Sequence, residues 1–405
     1  MDAFNWLHLT DLHWGLTGQN PLWSNIREQF FKDLEVLRPK TGPWHAVLFT
    51  GDLVQQGTPD EFDSLEDKVL GPLWERFRQL DCNPVLLTVP GNHDLKRPDA
   101  KSRSAAVRWL RTPGRFQEIA EEFWEDDESE YRREVHQAFA GYRQWWAARP
   151  HCSKHEIDDG RLLPGDFTTT FQTAGGHRIG ILGLNTTFLQ LGDQIKAKHL
   201  ACDLRQFQQA CKEQDVAGWA GRHNVCLLMT HQGPDWLDDP SRKKQYPAIN
   251  PAGRFAVHLF GHMHQETLRG FSQGGGHVVR WWQGCSLFGL EHYGDQKKED
   301  RRHGYSAGTI AFDGDQVLLR HWPRAATHDE VNDWRFVRDE VNCVLQDDGG
   351  TAAEDVSLRK RRGGPAVPPP EPIEQLTARA LGHYHQAAQR DWDDRWSGVV
   401  GEDQV

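Results

Sequence analysis

The sequence predicts an α/β fold, and three observations carry that prediction. Six short apolar runs, each ending in glycine or a polar residue, recur along the chain: "FNWLHLT" (4–10), "HAVLFT" (45–50), "PVLLTVP" (84–90), "RIGILGLNT" (178–186), "NVCLLMT" (224–230) and "FAVHLF" (255–260). Strands covered on both faces read this way. Helix-like sequence lies between several of them, and beyond residue 277 the pattern changes to closely spaced strands.

In chain order, the first run leads into "SNIREQFFKDLEVLR" (24–38), where apolar residues at 26, 30, 31, 34 and 37 form one helical stripe. Residues 99–165 break the alternation with helical, aromatic and charged sequence, including "YRREVHQAFAGYRQWWAA" (131–148). This segment is expected to be an inserted helical cap. Trp109, Trp124, Trp145 and Trp146 would pack it onto the main domain, and stacking of one of them on substrate is the sharper alternative. "HVVRWWQG" (277–284), "YSAGTIAF" (305–312) and "QVLLRHW" (316–322) are the later strands, the last two joined by a D-G-D hairpin turn at 313–315.

The main domain is expected over 1–345, followed by a Gly/Pro-rich linker over 346–372 whose composition cannot build a core. Residues 373–405 have helical periodicity. A solitary amphipathic helix needs a surface to pack on, which would be this domain, a second copy of the chain, or a protein partner.

Composition narrows the function classes. A net charge of −11, from 58 acidic and 47 basic residues, argues against a surface coated in positive potential. Local basic strips remain at Lys96, Arg97, Lys101, Arg103, Arg108, Arg111 and Arg115, and at Arg242, Lys243 and Lys244. The seven cysteines are scattered, with no C-x-x-C pair, and read as reduced buried thiols. No apolar run approaches the roughly 18 to 20 residues of a membrane span. The N-terminus enters strand-like sequence directly, so the expected address is cytoplasmic, with no membrane partner.

Metal-ligating residue types follow five of the predicted strands. "LTDLHWG" supplies Asp11 and His13, "FTGDLVQQG" supplies Asp52, and "VPGNHD" supplies Asn92, His93 and Asp94. "MTHQG" supplies His231, and "GHMH" supplies His262 and His264. The C-terminal ends of strands in an open α/β sheet border the crevice where ligands bind, so five strand ends can converge on one pocket. Gly51, Gly91 and Gly261 each precede a candidate ligand and are expected to let the backbone turn off the strand. In Asp11-Leu12-His13 and His262-Met263-His264, spacing of two in extended chain would point both polar side chains to one face. The donors are oxygen and imidazole nitrogen without thiolate, which fits a catalytic Mn, Fe or Zn site better than a structural zinc. They are too many for one tetrahedral ion and suit two ions sharing a carboxylate.

In this order the motifs D-x-H, G-D, G-N-H-D, H and G-H-x-H resemble the calcineurin-like metallophosphoesterase superfamily, over about residues 4–325. The resemblance implies a four-layer αββα sandwich. It implies two divalent ions, manganese first and Fe, Zn or Mg as alternatives. Asp11, His13, Asp52 and His264 would hold one ion, and Asp52, Asn92, His231 and His262 the other. His93 would contact substrate and assist the leaving group, and Asp94 would orient it by a hydrogen bond. The implied reaction is in-line attack on a phosphoester by a hydroxide held between the ions.

The departures from the family narrow the substrate. Protein phosphatases of the superfamily carry G-D-x-V-D-R-G and G-N-H-E, whereas this chain has "GDLVQQG" and "GNHD". The arginine that grips a phosphomonoester is missing, and the pattern is similar to the phosphodiesterase branch. A nucleotide or nucleic-acid phosphodiester is therefore the expected substrate. A cyclic-nucleotide phosphodiesterase, or a catalytic effector of a larger assembly tethered through the C-terminal helix, is the alternative.

Overall fold

Period-two patterning decides how the first strand is buried. In the computed structural model, β1 (Asp2–Leu9) points Phe4 and Trp6 into one apolar cluster and Leu7 and Leu9 into another. A strand apolar on both faces has to lie between two layers, and β1 sits in the middle of its sheet. Apart from residues 17–18, 100, 102–103, 153, 193–196, 264–265, 273–275, 289–290, 294–297, 301–302 and 330–332, the structure describes residues 2–357. The expected C-terminal helix, residues 373–405, lies outside the described residues.

The first sheet pairs β1 in parallel with β2 (Ala46–Phe49), and β2 in parallel with β3 (Val85–Thr88). On its other side β1 runs antiparallel to β13 (Gly304–Asp313), which continues through Asp313, Gly314 and Asp315 into β14 (Gln316–Asp329). The hairpin expected at 313–315 is present.

The second sheet begins with β4 (Ile157–Asp159) and β5 (Phe167–Gln172), antiparallel to one another. β6 (Arg178–Gly183), β7 (Val225–Met229) and β8 (Val257–Phe260) follow as parallel neighbours, and β10 (Val279–Gln283) extends them, edged by antiparallel β9 (Thr267–Phe271). A separate two-stranded ribbon pairs β11 (Glu291–Tyr293) with β12 (Lys298–Asp300). Phe4, Trp6, Leu48 and Leu87 of the first sheet share one buried cluster with Ile181, Leu227, Met229 and Leu259 of the second. The two sheets therefore pack face to face, with helices outside them, as the α/β sandwich expectation requires.

The helix expected over 24–38 is the core of α1 (Gln19–Thr41), which buries Ile26, Phe30, Leu34 and Leu37. After α2 (Pro59–Leu65) and α3 (Gly71–Gln79), the insertion folds as α4 (Ala105–Leu110), α5 (Ala120–Glu125), α6 (Glu130–Ala138) and α7 (Ala140–Ala147). Its tryptophans pack: Trp145 stacks on Phe62 of α2 at 5.2 Å, and Trp124 joins Phe116, Phe123 and Phe188 in one aromatic cluster. The insertion ends earlier than residue 165, because Ile157–Asp159 already pairs with the second sheet.

The linker boundary also moves. Residues 346–357 fold onto the first sheet: Thr351 N–H donates to His321 at 2.8 Å, and Val356 N–H to Val317 at 2.7 Å. β16 (Glu354–Asp355) pairs with β14 beyond the stretch that β15 (Asp333–Arg338) occupies, satisfying backbone groups that would otherwise form an open edge. The first compact unit accordingly runs to Ser357. All seven cysteines are free, and six of them are buried. Among the described residues no helix is long and apolar enough to cross a membrane.

A buried carboxyl beside the second sheet makes stability depend on pH. Asp166 accepts hydrogen bonds from Asn185 N–H at 2.8 Å and from Gln206 Nε2 at 3.0 Å, tying the start of β5 to α8 (Leu204–Cys211). Burial outweighs those bonds and pushes its pKa up to about 8. The folded state then holds a proton that the unfolded chain releases near its ordinary value of 3.8, so stability present below about pH 4 is lost as pH rises through 8. Urea titrations at pH 5 and pH 8 are expected to show that fall, and Asp166→Asn to flatten it. An equally steep pH dependence in the variant would refute the assignment.

Candidate metal centre

Five loops meet where the parallel strands of both sheets end. Beyond β1 lie Asp11 and His13, beyond β2 Asp52, beyond β3 Asn92 to Asp94, beyond β7 His231, and beyond β8 His262. Backbone bonds tie the loops together: Asp11 N–H donates to Gly51 at 3.0 Å, His13 N–H to Asp52 at 2.9 Å, and Gly261 N–H to His231 at 3.0 Å. Residues up to 251 positions apart therefore share one site. His264 lies outside the described residues.

Asp52 is at the centre. Its Oδ2 lies 3.2 Å from His231 Nε2 and 3.8 Å from His13 Nε2, while its Oδ1 accepts the His93 backbone N–H at 2.7 Å. On one side, His13 Nε2 is 3.9 Å from Asp11 Oδ1, and the His13 and His93 rings meet edge to face at 4.7 Å. On the other, His231 Nε2 is 3.1 Å from Asn92 Oδ1 and 3.2 Å from His262 Nδ1. Two sets of donors come within ion-binding reach of one another: His13, Asp52 and His93, and Asp52, His231 and His262.

The electrostatics follow from burial and crowding. Burial alone would raise the Asp52 carboxyl, but the imidazoles of His231, His93 and His13 outweigh it and hold it well below the usual carboxylate range. For His231 burial favours the neutral ring, yet Asp52 prevails and lifts its pKa to about 9. His231 Nδ1 is 2.7 Å from the Thr50 carbonyl, so that nitrogen donates and leaves the Nε2 lone pair for an ion. Buried, anionic and lined with imidazole nitrogen, the cluster fits divalent metal.

The backbone departs from the sequence expectation. Asp11, His13, Asp52 and His262 have φ of 52°, 51°, 54° and 73°. Neither Asp11-x-His13 nor the turn at His262 is extended, and convergence comes from left-handed turns at the ligands themselves. Such conformations cost about 1 to 3 kcal/mol each and persist only where the surroundings hold them. Here the hold is visible: Asp11 Oδ2 accepts Thr10 Oγ1–H at 2.6 Å and His262 N–H at 2.9 Å, and Ser286 Oγ donates to the Asp11 carbonyl at 2.6 Å.

Of the three glycines, only Gly51 adopts a positive φ, 98°. Gly91 is needed for space instead. A methyl there would lie 2.7 Å from Asp52 Cγ and closer still to Asp52 Oδ1 and N. Gly91→Ala is expected to displace Asp52, removing most turnover and costing about 1 to 3 kcal/mol of stability, checked by kinetics and thermal melting of the variant.

The orientation expected of Asp94 is corrected. Both its oxygens accept backbone N–H groups, from Val54 at 2.9 Å and Gly91 at 2.8 Å, so it clamps two loops together. Burial and the Asp52 charge push its pKa up to about 8. The His93 ring is oriented by the Gln55 carbonyl, 3.0 Å from Nδ1. Arg324 is buried against Asp33.

Four residues of the basic strips are answered within the chain. Arg111 donates to the Leu191 carbonyl at 3.0 Å, Arg115 pairs with Glu118 at 2.9 Å, and Arg242 and Lys243 both reach Asp239, at 3.0 and 2.6 Å. Residues that sequence reasoning did not single out include Thr10, Gln55, Ser286 and Trp236, whose ring meets His262 edge to face at 4.2 Å. Carbonyls such as those of Thr50 and Gln55 have no side-chain signature in a sequence.

Residues 4–266 match the calcineurin-like phosphoesterase family. The chain belongs to that family. That family is metal-dependent, and the two donor sets around Asp52 are this calcineurin-like phosphoesterase's candidate ligands. No curated protein sequence is matched. Among solved structures it is similar to a purple acid phosphatase from yellow lupin seeds, at 11% identity and a TM-score of 0.40 over 82% of this chain and 53% of that one. It thus spans about half the length of the lupin enzyme. It is also similar to GAP50, described as the anchor in the inner membrane complex of Plasmodium, at 10% identity and a TM-score of 0.37, over 89% of this chain and 91% of that one. Vps29 of Chaetomium thermophilum aligns at 12% identity and a TM-score of 0.27 over 82% of this chain and 93% of that one.

Proposed function

We propose that the chain is a phosphodiesterase that holds two divalent ions on either side of Asp52 and hydrolyses a nucleotide or nucleic-acid phosphodiester. The observation that carries this reading is the single carboxylate facing two imidazole sets, with Oδ2 3.2 Å from His231 and 3.8 Å from His13. Asp11 and His13 would complete one ion's protein ligands, with His264 added by the family pattern. Asn92, His231 and His262 would complete the other's. The donor set suits manganese, with iron, zinc or magnesium as alternatives. When bound, such ions lower the pKa of water toward neutrality and offset charge on phosphoryl oxygens.

The chain's own groups do the rest. His93 is less buried than Asp52, Asn92 and His13, and with Nδ1–H on the Gln55 carbonyl it is the Nε2–H of the protonated ring that would pass a proton to the departing oxygen. Asp94 keeps that loop in register through Val54 and Gly91.

Beside His262 a groove of about 220 Å³ is lined by Trp236, Phe260, Met263, Trp281, Gln283 and Arg269. Asp235 also lines it and pairs with Arg269 at 3.5 Å, so the aromatic walls and the Gln283 amide are what suit a planar base carried by the ester. The test is hydrolysis by the manganese-loaded protein of bis-p-nitrophenyl phosphate, p-nitrophenyl phosphate, cyclic nucleotides, DNA and RNA. Diesters are expected to be cut well ahead of the monoester, and activity on the monoester alone would refute the reading.

A further inference from the structure

We infer that a cleft on the helical insertion binds the phosphate backbone of a nucleic-acid strand. The cleft has a volume of about 590 Å³ and is lined by Arg132, Arg133, His136, Arg143 and Arg161, with Asp127 as its acidic residue. Arg133 comes from α6, Arg143 from α7, and Arg161 from the loop between β4 and β5. Three segments thus bring guanidiniums to one concavity.

What distinguishes them is that they lack partners and share one cleft. Arg132 is committed: it donates to Asp127 at 3.0 Å and to the Trp124 carbonyl at 3.3 Å. Asp127 is thereby used up. The side chains of Arg133, Arg143 and Arg161 are exposed, and among the described residues they make no ion pair or hydrogen bond. Elsewhere Arg115, Arg242 and Lys243 are each answered by a carboxylate, in a chain whose net charge is −11. Like charges gathered without counter-charge repel one another, so the cluster is relieved by an anion. Burial, then the charges of Arg143 and Arg132, hold His136 below its ordinary pKa, leaving the positive charge on the guanidiniums.

Guanidinium forks match phosphate oxygens in pairs, and three of them spread around one cleft match successive phosphates better than a single anion. The helices that carry them also support the metal-centre loops. Lys96 N–H, two residues past Asp94, donates to the Ala138 carbonyl of α6 at 2.8 Å, and Gly141 of α7 packs closely on the Gly57 carbonyl. A strand held on this insertion is held by the element that abuts the His93 and Gln55 loops. This inference rests on the phosphodiesterase reading and deepens it from nucleotide to strand.

The experiment compares the full-length wild type with Arg133→Glu/Arg143→Glu and with the neutral Arg133→Gln/Arg143→Gln. Anisotropy of a labelled phosphorothioate strand is followed across salt concentrations, and hydrolysis of bis-p-nitrophenyl phosphate is measured in parallel. Strand affinity is expected to fall about tenfold or more in the Glu variant, with the slope of log affinity against log salt shallower by roughly 1.4 for two lost phosphate contacts. The Gln variant, which keeps the helices' polarity, is expected to show the same change in slope. Turnover of the small diester is expected to stay at the wild-type level in both. Unchanged strand affinity and slope, or displacement of the strand by polyglutamate as readily as by competing DNA, would overturn the inference. Absence of diester hydrolysis in the wild type would instead refute the phosphodiesterase reading, and the binding arm would still decide the cleft.

Discussion

Asp52→Asn is expected to abolish phosphoester hydrolysis, on the order of 10³-fold or more, because the charge that faces both donor sets is removed while its shape is kept. Asp52 is 1% exposed and surrounded by His13, His93 and His231, and the neighbouring Asp94 carboxyl is committed to the Val54 and Gly91 N–H groups. Asparagine retains an oxygen for the His93 backbone N–H, now 2.7 Å from Oδ1, whereas Asp52→Ala loses that bond as well. The two variants therefore separate charge from scaffolding. Both are expected to lose metal by elemental analysis, with the alanine form losing more thermal stability. Wild-type turnover in Asp52→Asn would overturn the assignment of this cluster as the centre of the reaction.

The largest expected effect on stability lies away from the metal centre. Asp33 of α1 accepts hydrogen bonds from Tyr305 Oη at 2.6 Å and from Arg324 Nε at 2.8 Å, and a second guanidinium nitrogen reaches its other oxygen. Asp33 and Arg324 are 5% and 8% exposed, so neither charge has water to turn to. Asp33→Ala strands a buried guanidinium and is expected to cost about 3 to 5 kcal/mol. In thermal melts this appears as a fall of roughly 10 °C in Tm. Asp33→Leu combined with Arg324→Leu removes both charges and is expected to recover much of the loss. If the double variant melts as low as the single one, packing of α1 on β13 and β14 rather than the ion pair carries the effect.

The strands and the order of the ligands were legible in the sequence because both are local signals. A strand covered on both faces must be apolar throughout, which is why β1, β2, β3, β6, β7 and β8 stand out as runs. Strands at the margins were not legible. β5, "FTTTFQ", is rich in threonine, and β9, "TLRGF", is half to fully exposed, so neither forms an apolar run. Likewise β16 is two residues within a stretch whose glycine and acidic content reads as linker, and only the free edge of β14 makes it a strand.

At the site the division is sharper. That Asp11, His13, Asp52, Asn92, His231 and His262 belong together follows from their place just beyond the ends of apolar strands, a relation written along the chain. How they come together does not. The left-handed backbone at four of them, the Gln55 carbonyl that turns His93, and the clamping of Val54 and Gly91 by Asp94 depend on backbone atoms from other loops. Charge shows the same contrast: Arg111, Arg115, Arg242 and Lys243 of the basic runs are answered by neighbouring carboxylates and carbonyls, while Arg133, Arg143 and Arg161, scattered in sequence, share one cleft. Residue types and their order along the strands were set by the sequence alone. Which polar group meets which partner was decided by the tertiary structure, because hydrogen bonds and screening act over a few ångströms in space, whatever the separation along the chain.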